Sequence, residues 1–187
     1  MDSRITKMAH VLLHYSTATQ PGERVLIRST SPAGEPLCQA LYEEALRMGA
    51  RPAVYIHMSE EESIALEATT DPDLLGDVNP MLKMMYEQAP VVIRIDAEEN
   101  TRDRSAYPVE MQVARAKARS ALINIQMRRE AAGELRRCST QFPTFGYAQN
   151  AGMSLRQYEN FVFGACKLDL DDPVAAWKAF YDAQDRL

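Results

Sequence analysis

Cysteine is scarce in this sequence of 187 residues and never occurs in pairs. The three cysteines, Cys38, Cys138 and Cys166, are odd in number and far apart, and none belongs to a C-x-x-C motif. This pattern argues against a disulfide framework and against a thiolate zinc site, since both need closely matched cysteines. We expect the three thiols to serve as small buried hydrophobic side chains.

Long apolar runs and blocks of like charge are also missing. The first fifteen residues carry charges at Asp2, Arg4 and Lys7, so they hold no apolar stretch long enough for a signal peptide or a membrane span. The net charge of -5 arises from interspersed acids and bases, which leaves no basic face for nucleic acid. We therefore expect a cytoplasmic protein whose partners include neither a membrane nor a nucleic acid.

The signature loops of several enzyme classes are absent as well. The sequence has no G-x-S-x-G nucleophile turn, no G-x-G-x-x-G and no Walker glycine-lysine loop. No histidine can be matched to any cysteine as the base of a nucleophilic pair. We assign no catalytic residue to this chain.

What the sequence does contain is an alternation of short apolar runs and amphipathic segments. Residues 24–28, 53–56 and 90–96 read as strands of a buried parallel sheet, and residues 136–142 can form a fourth strand. The first two are separated by a helix of about four turns, which is the spacing of a βαβ crossover. The pattern predicts an α/β fold with three layers, α/β/α, around a mostly parallel sheet of four to five strands, followed by carboxyl-terminal helices.

Periodicity and capping signals predict the main helices. The first fifteen residues repeat apolar side chains at helical spacing. Residues 108–132 fit a helix or, near their end, a strand, and we favour a helix. Ser154 and Gln157 form a capping box. Asp172-Pro173 opens a last helix that has no stop signal before Leu187, so we expect the chain to end in mid-helix.

Two loops after predicted strands carry polar side chains that could face a ligand. Ser29, Thr30 and Ser31 follow the first strand, where small hydroxyl groups near a helix start can cradle an anion. Glu98 and Asn100 follow the third strand in an acidic stretch that could hold a divalent cation. An ordinary βα loop and a solvated acidic loop are the favoured interpretations, because both compositions are common without a ligand.

The histidines do not form a metal motif by their spacing. His10 and His14 are four positions apart on a predicted helix, but Val11 stands where H-E-x-x-H requires glutamate. We interpret both as exposed side chains on a solvated face. His57 ends the second strand without an identifiable partner, which favours a hydrogen-bonded structural role. We assign no metal ligand to this chain.

The predicted last helix carries three large rings, Trp177, Phe180 and Tyr181. Rings of this size on a terminal helix need a surface to cover. Trp177 and Tyr181 are therefore candidates for contact with a further domain. Packing on the helix that begins after Ser154 is an equally good interpretation.

Short stretches spread over nearly the whole chain combine into a specific pattern. They are Met1–Arg4, His14–Ser16, Pro21–Arg28, Ala45–Ala50, Ala97–Thr101, Gly133–Thr144, Ala148–Leu155, Tyr158–Phe163 and Asp172–Trp177. In this order and spacing they resemble the metallo-aminopeptidases that include aminopeptidase T and aminopeptidase S, a family of enzymes similar to thermophilic metalloproteases.

The resemblance implies an enzyme of roughly twice this length, as two domains of this size require. Such an enzyme removes amino-terminal residues from peptides with two divalent metal ions, zinc, cobalt or magnesium, whose ligands belong to the carboxyl-terminal half of the family. Residues 1–187 would be a single amino-terminal domain, with 1–150 forming the sheet and crossover helices and 151–187 leading to a missing catalytic domain. We expect no metal on this chain itself, and peptide substrates and a homodimer through the parent enzyme.

Two other functions stay open. A free-standing α/β binding module could recognise a small anion or a nucleotide through the loop from Ser29 to Gly34. A regulatory fragment could instead pair with full-length enzyme subunits through the last helix.

Overall fold

Four parallel strands form the centre of the fold. The computed structural model describes residues 2–184, and in that range the strands are β1 (Arg24–Ser29), β2 (Arg51–Ile56), β3 (Val91–Asp96) and β4 (Arg136–Gln141). Their order across the sheet is β2-β1-β3-β4, and every neighbouring pair is parallel. The predicted parallel sheet is confirmed, with four strands.

Helices precede, connect and follow these strands. Within the described residues they are α1 (Ser3–His10), α2 (Glu35–Arg47), α3 (Glu61–Ala68), α4 (Pro72–Leu75), α5 (Pro80–Gln88), α6 (Val109–Ala131), α7 (Phe145–Asn150), α8 (Leu155–Ala165) and α9 (Pro173–Gln184). A π-helical turn, Val11–Ser16, continues α1, and a 3-10 turn, Pro32–Gly34, leads into α2. None of the helices in residues 2–184 is both long enough and apolar enough to cross a membrane.

Local signals in the sequence located the starts of α8 and α9. The capping box of Ser154 and Gln157 is present at the start of α8, and the ambiguous segment 108–132 forms the helix α6. The opening helix is confirmed in place, but it changes to a π-helical turn at Val11, which periodicity did not predict. The expected continuation of the last helix to Leu187 lies outside the described residues.

Strands β1 and β3 are buried on both of their faces. Val25, Ile27 and Ile93 pack into one core together with α1, α2 and α8. Leu26 and Val92, at the alternate positions, pack into a second core with α5 and α6. Because successive side chains of a strand point to opposite faces, helices must cover the sheet on both sides. The predicted three-layer α/β/α architecture follows from this burial and is confirmed.

The chain reverses its direction across the sheet between β2 and β3. It crosses the first face through α2 to reach β2, and returns through α3, α4 and α5 so that β3 lies on the other side of β1. The segments that follow β1 and β3 therefore leave toward opposite faces. In open parallel sheets, a crevice forms at the carboxyl ends of two such strands, and ligands bind there.

Gly34 allows α2 to start directly against the ends of β1 and β3. A side-chain carbon added at Gly34 would lie 2.3 Å from Ser29 Oγ and 3.1 Å from the Ile95 side chain. No larger residue fits this gap without displacing the loop. The close approach ties the loop after β1 to the sheet and makes it a rigid wall of the crevice.

The two-sided burial of β1 generates a prediction about stability. Leu26 is fully buried, whereas Leu46 of α2 is 52% exposed. We expect Leu26→Ala to lower the free energy of unfolding by about 2–5 kcal/mol, because it removes buried methyl groups and leaves a cavity. The matched change Leu46→Ala should lower it by about 0.5 kcal/mol or less. Urea denaturation followed by circular dichroism measures both, and equal losses would contradict this description of the core.

Candidate functional site

A cavity of about 540 Å³ opens at the carboxyl edge of the sheet, on the face covered by α5 and α6. The ends of β1, β3 and β4 and the segment after β2 form its wall, and α6 closes it from the opposite side. This volume lies within the usual range of small-molecule sites. The cavity stands at the crevice that the reversal of the chain between β2 and β3 creates.

Arg28 and Arg94 lie side by side in the wall of this cavity. Arg28 is in register with Tyr55 of β2 on one side and with Arg94 of β3 on the other. Arg28 follows Leu26 by two positions and Arg94 follows Val92 by two, so both side chains point to the face of the sheet that carries the second core. They stand two residues nearer the open edge, where the core ends, and therefore bring two guanidinium groups into the cavity.

His57 is held between an arginine and a glutamate. Arg28 donates from Nε at 3.1 Å and from Nη2 at 2.8 Å to His57 Nε2, and His57 Nδ1 lies 3.0 Å from Glu61 Oε2. A guanidinium cannot accept a hydrogen bond, so Nε2 is the acceptor and the ring carries a proton on Nδ1. Both ring nitrogens are engaged, and the structure supplies the partners that the sequence did not identify.

Glu61 supplies the negative charge next to this histidine. The hydrogen bond with His57 lowers the pKa of the Glu61 carboxyl, burial acts in the opposite direction, and Arg115 lowers the pKa further. Arg115 Nη2 lies 3.3 Å from Glu61 Oε1. Glu61 is therefore ionised at neutral pH and committed to His57 and Arg115.

Arg119 from α6 and Arg104 from the loop after β3 add positive charge to the cavity. Burial lowers the pKa of Arg119, Glu62 opposes this effect, and the neighbouring guanidinium groups of Arg104, Arg94 and Arg28 lower it further. These guanidinium groups repel one another, even though Glu62 lies 3.7 Å from Arg119 and Asp103 lies 3.6 Å from Arg104. A ligand with acceptor oxygens would relieve this repulsion.

Arg94 retains one unused donor. Its Nη2 lies 2.6 Å from Asp96 Oδ1, but its Nε is buried and has no hydrogen-bond partner among the described residues. A buried donor without an acceptor costs free energy, so a ligand oxygen placed there would be stabilised.

Carboxylates accompany the arginines around the cavity. The lining contains five arginines and seven acidic residues, so it is not uniformly positive. Glu62 lies 3.2 Å from Arg115 and 3.7 Å from Arg119, so its negative charge is balanced by these two arginines. A site with both signs of charge complements a ligand that also carries both, such as an amino acid or a peptide, better than it complements a polyphosphate.

The predicted ligand-facing loops meet at this cavity, with one exception. Thr30, Ser31, Glu98 and Asn100 line it, whereas Ser29 is fully buried behind the wall. Their residue types had suggested ligand contact, and the fold brings four of the five candidates to one site.

The hydroxyl groups of the loop after β1 are engaged with the backbone. Ser29 Oγ donates to the carbonyl of Ser31 at 2.7 Å, and Ser31 Oγ donates to the carbonyl of Ala97 at 2.6 Å. Thr30 Oγ1 accepts from the Ala97 amide at 2.8 Å. These bonds fasten the loop after β1 to the loop after β3, so contact with a ligand would fall mainly to the charged side chains of the cavity.

The loop after β3 is fixed by α7. Thr144 Oγ1 donates to the carbonyl of Glu98 at 2.6 Å, and a side-chain carbon added at Gly146 would lie 2.5 Å from the carbonyl oxygen of Glu99. Asn100 Oδ1 accepts from the amide of Arg102 at 3.0 Å, so its side chain holds its own turn. This loop is a rigid rim of the cavity.

The two aromatic candidates of α9 lie on the other face of the sheet. Trp177 packs against the first core and donates from Nε1 to the carbonyl of Cys166 at 3.1 Å, and Lys167 Nζ lies 5.7 Å from its ring centroid. Tyr181 is exposed. Trp177 therefore covers the end of α8, and Tyr181 faces outward.

Sequence reasoning did not select the arginines that dominate the cavity. In β1 and β3, Arg28 and Arg94 each follow a core residue, Leu26 or Val92, by two positions. That alternation is a readable signal for a shared face. Their proximity could not be read from the sequence, because it depends on β1 and β3 being neighbours.

The cysteines and exposed histidines follow most expectations. All three cysteines are free, Cys38 is buried as predicted, and Cys138 and Cys166 are half-buried. Burial raises the pKa of the Cys38 thiol to about 11, which keeps it protonated and unreactive. His10 and His14 lie on the surface and do not line the cavity, and both approach Glu44 of α2.

Comparison with known proteins relates the chain to a described family, a curated relative and a solved structure. A family model described as Thermophilic metalloprotease (M29) matches residues 1–187. Aminopeptidase 2 of Geobacillus stearothermophilus is 25% identical over 199 residues, a match that covers 100% of this chain and 47% of that protein. Wild-type AmpT from Thermus thermophilus has the same fold, with a TM-score of 0.76 and 18% identity over 97% of this chain and 46% of that one. The chain spans less than half the length of either relative.

The interaction of Glu61 with His57 predicts a pH-dependent stability. The folded-state pKa of Glu61 lies below its ordinary value of 4.5, so its contribution is present above that value and is lost as the pH falls through the lowered pKa. We expect Glu61→Gln to lower the free energy of unfolding at neutral pH by about 1–3 kcal/mol. The difference from the unchanged protein should shrink as the pH falls below 4.5.

Urea denaturation at steps between neutral and acid pH measures this difference. Glu87→Gln is the matched control, because Glu87 is exposed and its ion-pair partner among the described residues, Lys83, lies 4.0 Å away. The control should have little effect at any pH. A Glu61→Gln deficit that stays constant down to the lowest pH would refute the assignment.

Proposed function

This chain belongs to the thermophilic metalloprotease (M29) family, and on that premise we propose that it forms the amino-terminal half of a metal-dependent aminopeptidase. The family match over residues 1–187 carries the proposal. The relatives named Aminopeptidase 2 and AmpT are about twice as long, which leaves room for a second half. In this proposal the parent enzyme removes amino-terminal residues from peptides in the cytoplasm, and this half is not catalytic.

The side chains of the cavity do not fit a pair of divalent metal ions. Both ring nitrogens of His57 are engaged, and Glu61 and Glu62 are committed to arginines. Guanidinium groups among the ligands would repel a cation. We therefore place the metal pair, zinc, cobalt or magnesium, in the other half of the parent enzyme, where bound metals would polarise the scissile carbonyl and activate water.

We assign to this chain a role in substrate access. Arg28, Arg94 and Arg119 can bind carboxylate groups of a peptide, and the acidic residues of the rim can bind its ammonium groups. The rigid loops after β1 and β3 keep this charged cavity in a fixed shape. A peptide held there would be oriented before it reaches a catalytic site.

Exposed rings support a contact between this chain and the rest of the enzyme. Phe145, Phe161, Phe180 and Tyr181 are exposed and belong to α7, α8 and α9, the last part of the chain. Large aromatic side chains exposed on a domain are often covered by another domain or subunit. We propose that the catalytic half, or the second subunit of a homodimer, packs on these rings.

A peptidase assay tests the proposed division of labour. We expect the purified chain of 187 residues to release no product from an amino acid p-nitroanilide in the presence of zinc, cobalt or magnesium, because the described residues of its cavity do not fit a metal pair. A complete aminopeptidase of the same family serves as the positive control. Turnover by this chain that depends on the added metal would overturn the proposal.

A second function, a binding module for a small anion, is favoured by one observation. Arg94 Nε is buried without an acceptor among the described residues, and Arg28 and Arg119 stand near it. Such a donor group is complementary to a phosphate or carboxylate oxygen. In this alternative the cavity itself is the functional site and no peptidase half is needed.

Isothermal titration calorimetry distinguishes the two functions. The binding module predicts measurable affinity for phosphate or a nucleotide, weakened at least about 10-fold by Arg94→Gln, because a hydrogen bond to a charged group contributes about 1.5–3 kcal/mol. Arg51→Gln, at the exposed opposite edge of the sheet, is the matched control and should leave the affinity unchanged. Binding of peptides but not of phosphate would favour the peptidase role, and equal affinity in Arg94→Gln would refute the anion site.

A further inference from the structure

Three side chains with metal-binding atoms converge on the surface between α1 and α2. His10 is the last residue of α1, His14 lies in the π-helical turn that follows, and Glu44 is on α2. The metal-binding atoms of the three side chains all lie within 4.8 Å of one another. Among the described residues, no other group of three histidine, cysteine or carboxylate side chains lies so close together. Two of the three histidines of the chain belong to it.

The distances bring both imidazoles to a single carboxylate oxygen. His10 Nδ1 lies 3.1 Å and His14 Nε2 lies 2.8 Å from Glu44 Oε1. The two ring centroids are 4.0 Å apart. When two nitrogens and one oxygen bind the same zinc ion, each atom lies about 2.0–2.1 Å from the ion. The distances between the three bound atoms are then only slightly longer than those from His10 and His14 to Glu44. The side chains are therefore already close to a ligating arrangement.

The π-helical turn carries His14 on the side of the first helix that faces α2. His14 follows His10 by four positions, and side chains four positions apart on a helix lie on one face, about one turn from each other. The planes of the two imidazole rings are tilted by 32° relative to one another.

Glu44 is the least exposed member of the cluster. Its Oε1 faces both histidines, and its Oε2 lies 3.9 Å from Arg47 Nη1. The Glu44 side chain is 17% exposed, while those of His10 and His14 are 49% and 35% exposed. An ion can therefore reach the cluster from the solvent side, where the histidines are exposed.

We propose that His10, His14 and Glu44 form a binding site for a divalent transition metal ion such as zinc. Each imidazole directs a lone pair from its facing nitrogen to the ion, with its proton on the other ring nitrogen, and Glu44 contributes an oxygen. Water completes the coordination sphere. Two nitrogen ligands and one carboxylate select zinc, cobalt, nickel or copper over magnesium and calcium, which prefer oxygen ligands.

The bound ion would fasten the first helix of the chain to α2. Without the ion, His10 and His14 hold Glu44 only by hydrogen bonds at the surface. Coordination bonds from three residues on two elements would tie the opening helix to the first crossover helix. The site is separate from the metal pair proposed for the parent enzyme, and its test needs no peptidase readout.

Calorimetric titration of the 187-residue chain with Zn²⁺ tests the proposal. We expect one strong site per chain and no measurable Mg²⁺ binding under the same conditions. His14→Gln and Glu44→Gln should each weaken Zn²⁺ binding by more than about 10-fold, since even the loss of an outer-shell partner weakens metal binding by about 10–100-fold. Glu87→Gln is the matched control, because Glu87 is an exposed glutamate of α5, on the other side of the sheet, and should leave the affinity unchanged.

Co²⁺ provides an independent readout of the ligands. The visible absorption spectrum of Co²⁺ bound to the unchanged chain should show coordination by nitrogen, and this spectrum should disappear in His10→Gln while circular dichroism reports an intact fold. Zn²⁺ affinity that is the same in His14→Gln, Glu44→Gln and the unchanged chain would overturn the proposal. The absence of Zn²⁺ binding at micromolar concentrations would overturn it equally.

Discussion

The burial of β1 and β3 on both of their faces is the constraint from which the rest of the structure follows. Val25, Ile27 and Ile93 require a helical layer on one side, and Leu26 and Val92 require another on the opposite side. A chain can build both layers around parallel strands only through crossover helices. The three-layer fold and the reversal between β2 and β3 are consequences of this requirement.

The same constraint creates the cavity. Where β1 and β3 leave the core, their alternation continues for one more step, and the positions on the second face are occupied by Arg28 and Arg94. The loops after the two strands leave toward opposite faces and open a crevice between them. Hydrogen bonds between the Thr30 and Ser31 side chains and Ala97 then hold its rim. The cavity thus begins where the second hydrophobic core ends, and charged side chains replace apolar ones on the same face of the sheet.

The two faces of the sheet carry different chemistry. The second face holds the charged cavity, in which arginines meet carboxylates and His57 is fully engaged. The first face holds the packed helices and, on their outer surface, the cluster of His10, His14 and Glu44. The chain as a whole belongs to the M29 family and spans less than half the length of the relatives it matches.

The sequence by itself determined the layers, the parallel sheet, the start of α8 at Ser154 and the family, because these depend on periodicity, local capping and ordered short motifs. It also indicated that Thr30, Ser31, Glu98 and Asn100 follow strand ends. Only the tertiary structure decided which distant residues meet. Arg28 reaches Arg94 because β1 and β3 are neighbours, and His10 and His14 reach Glu44 because α1 packs on α2. Spacing along the chain carries no information about such contacts, since they are set by the order of strands and the packing of helices.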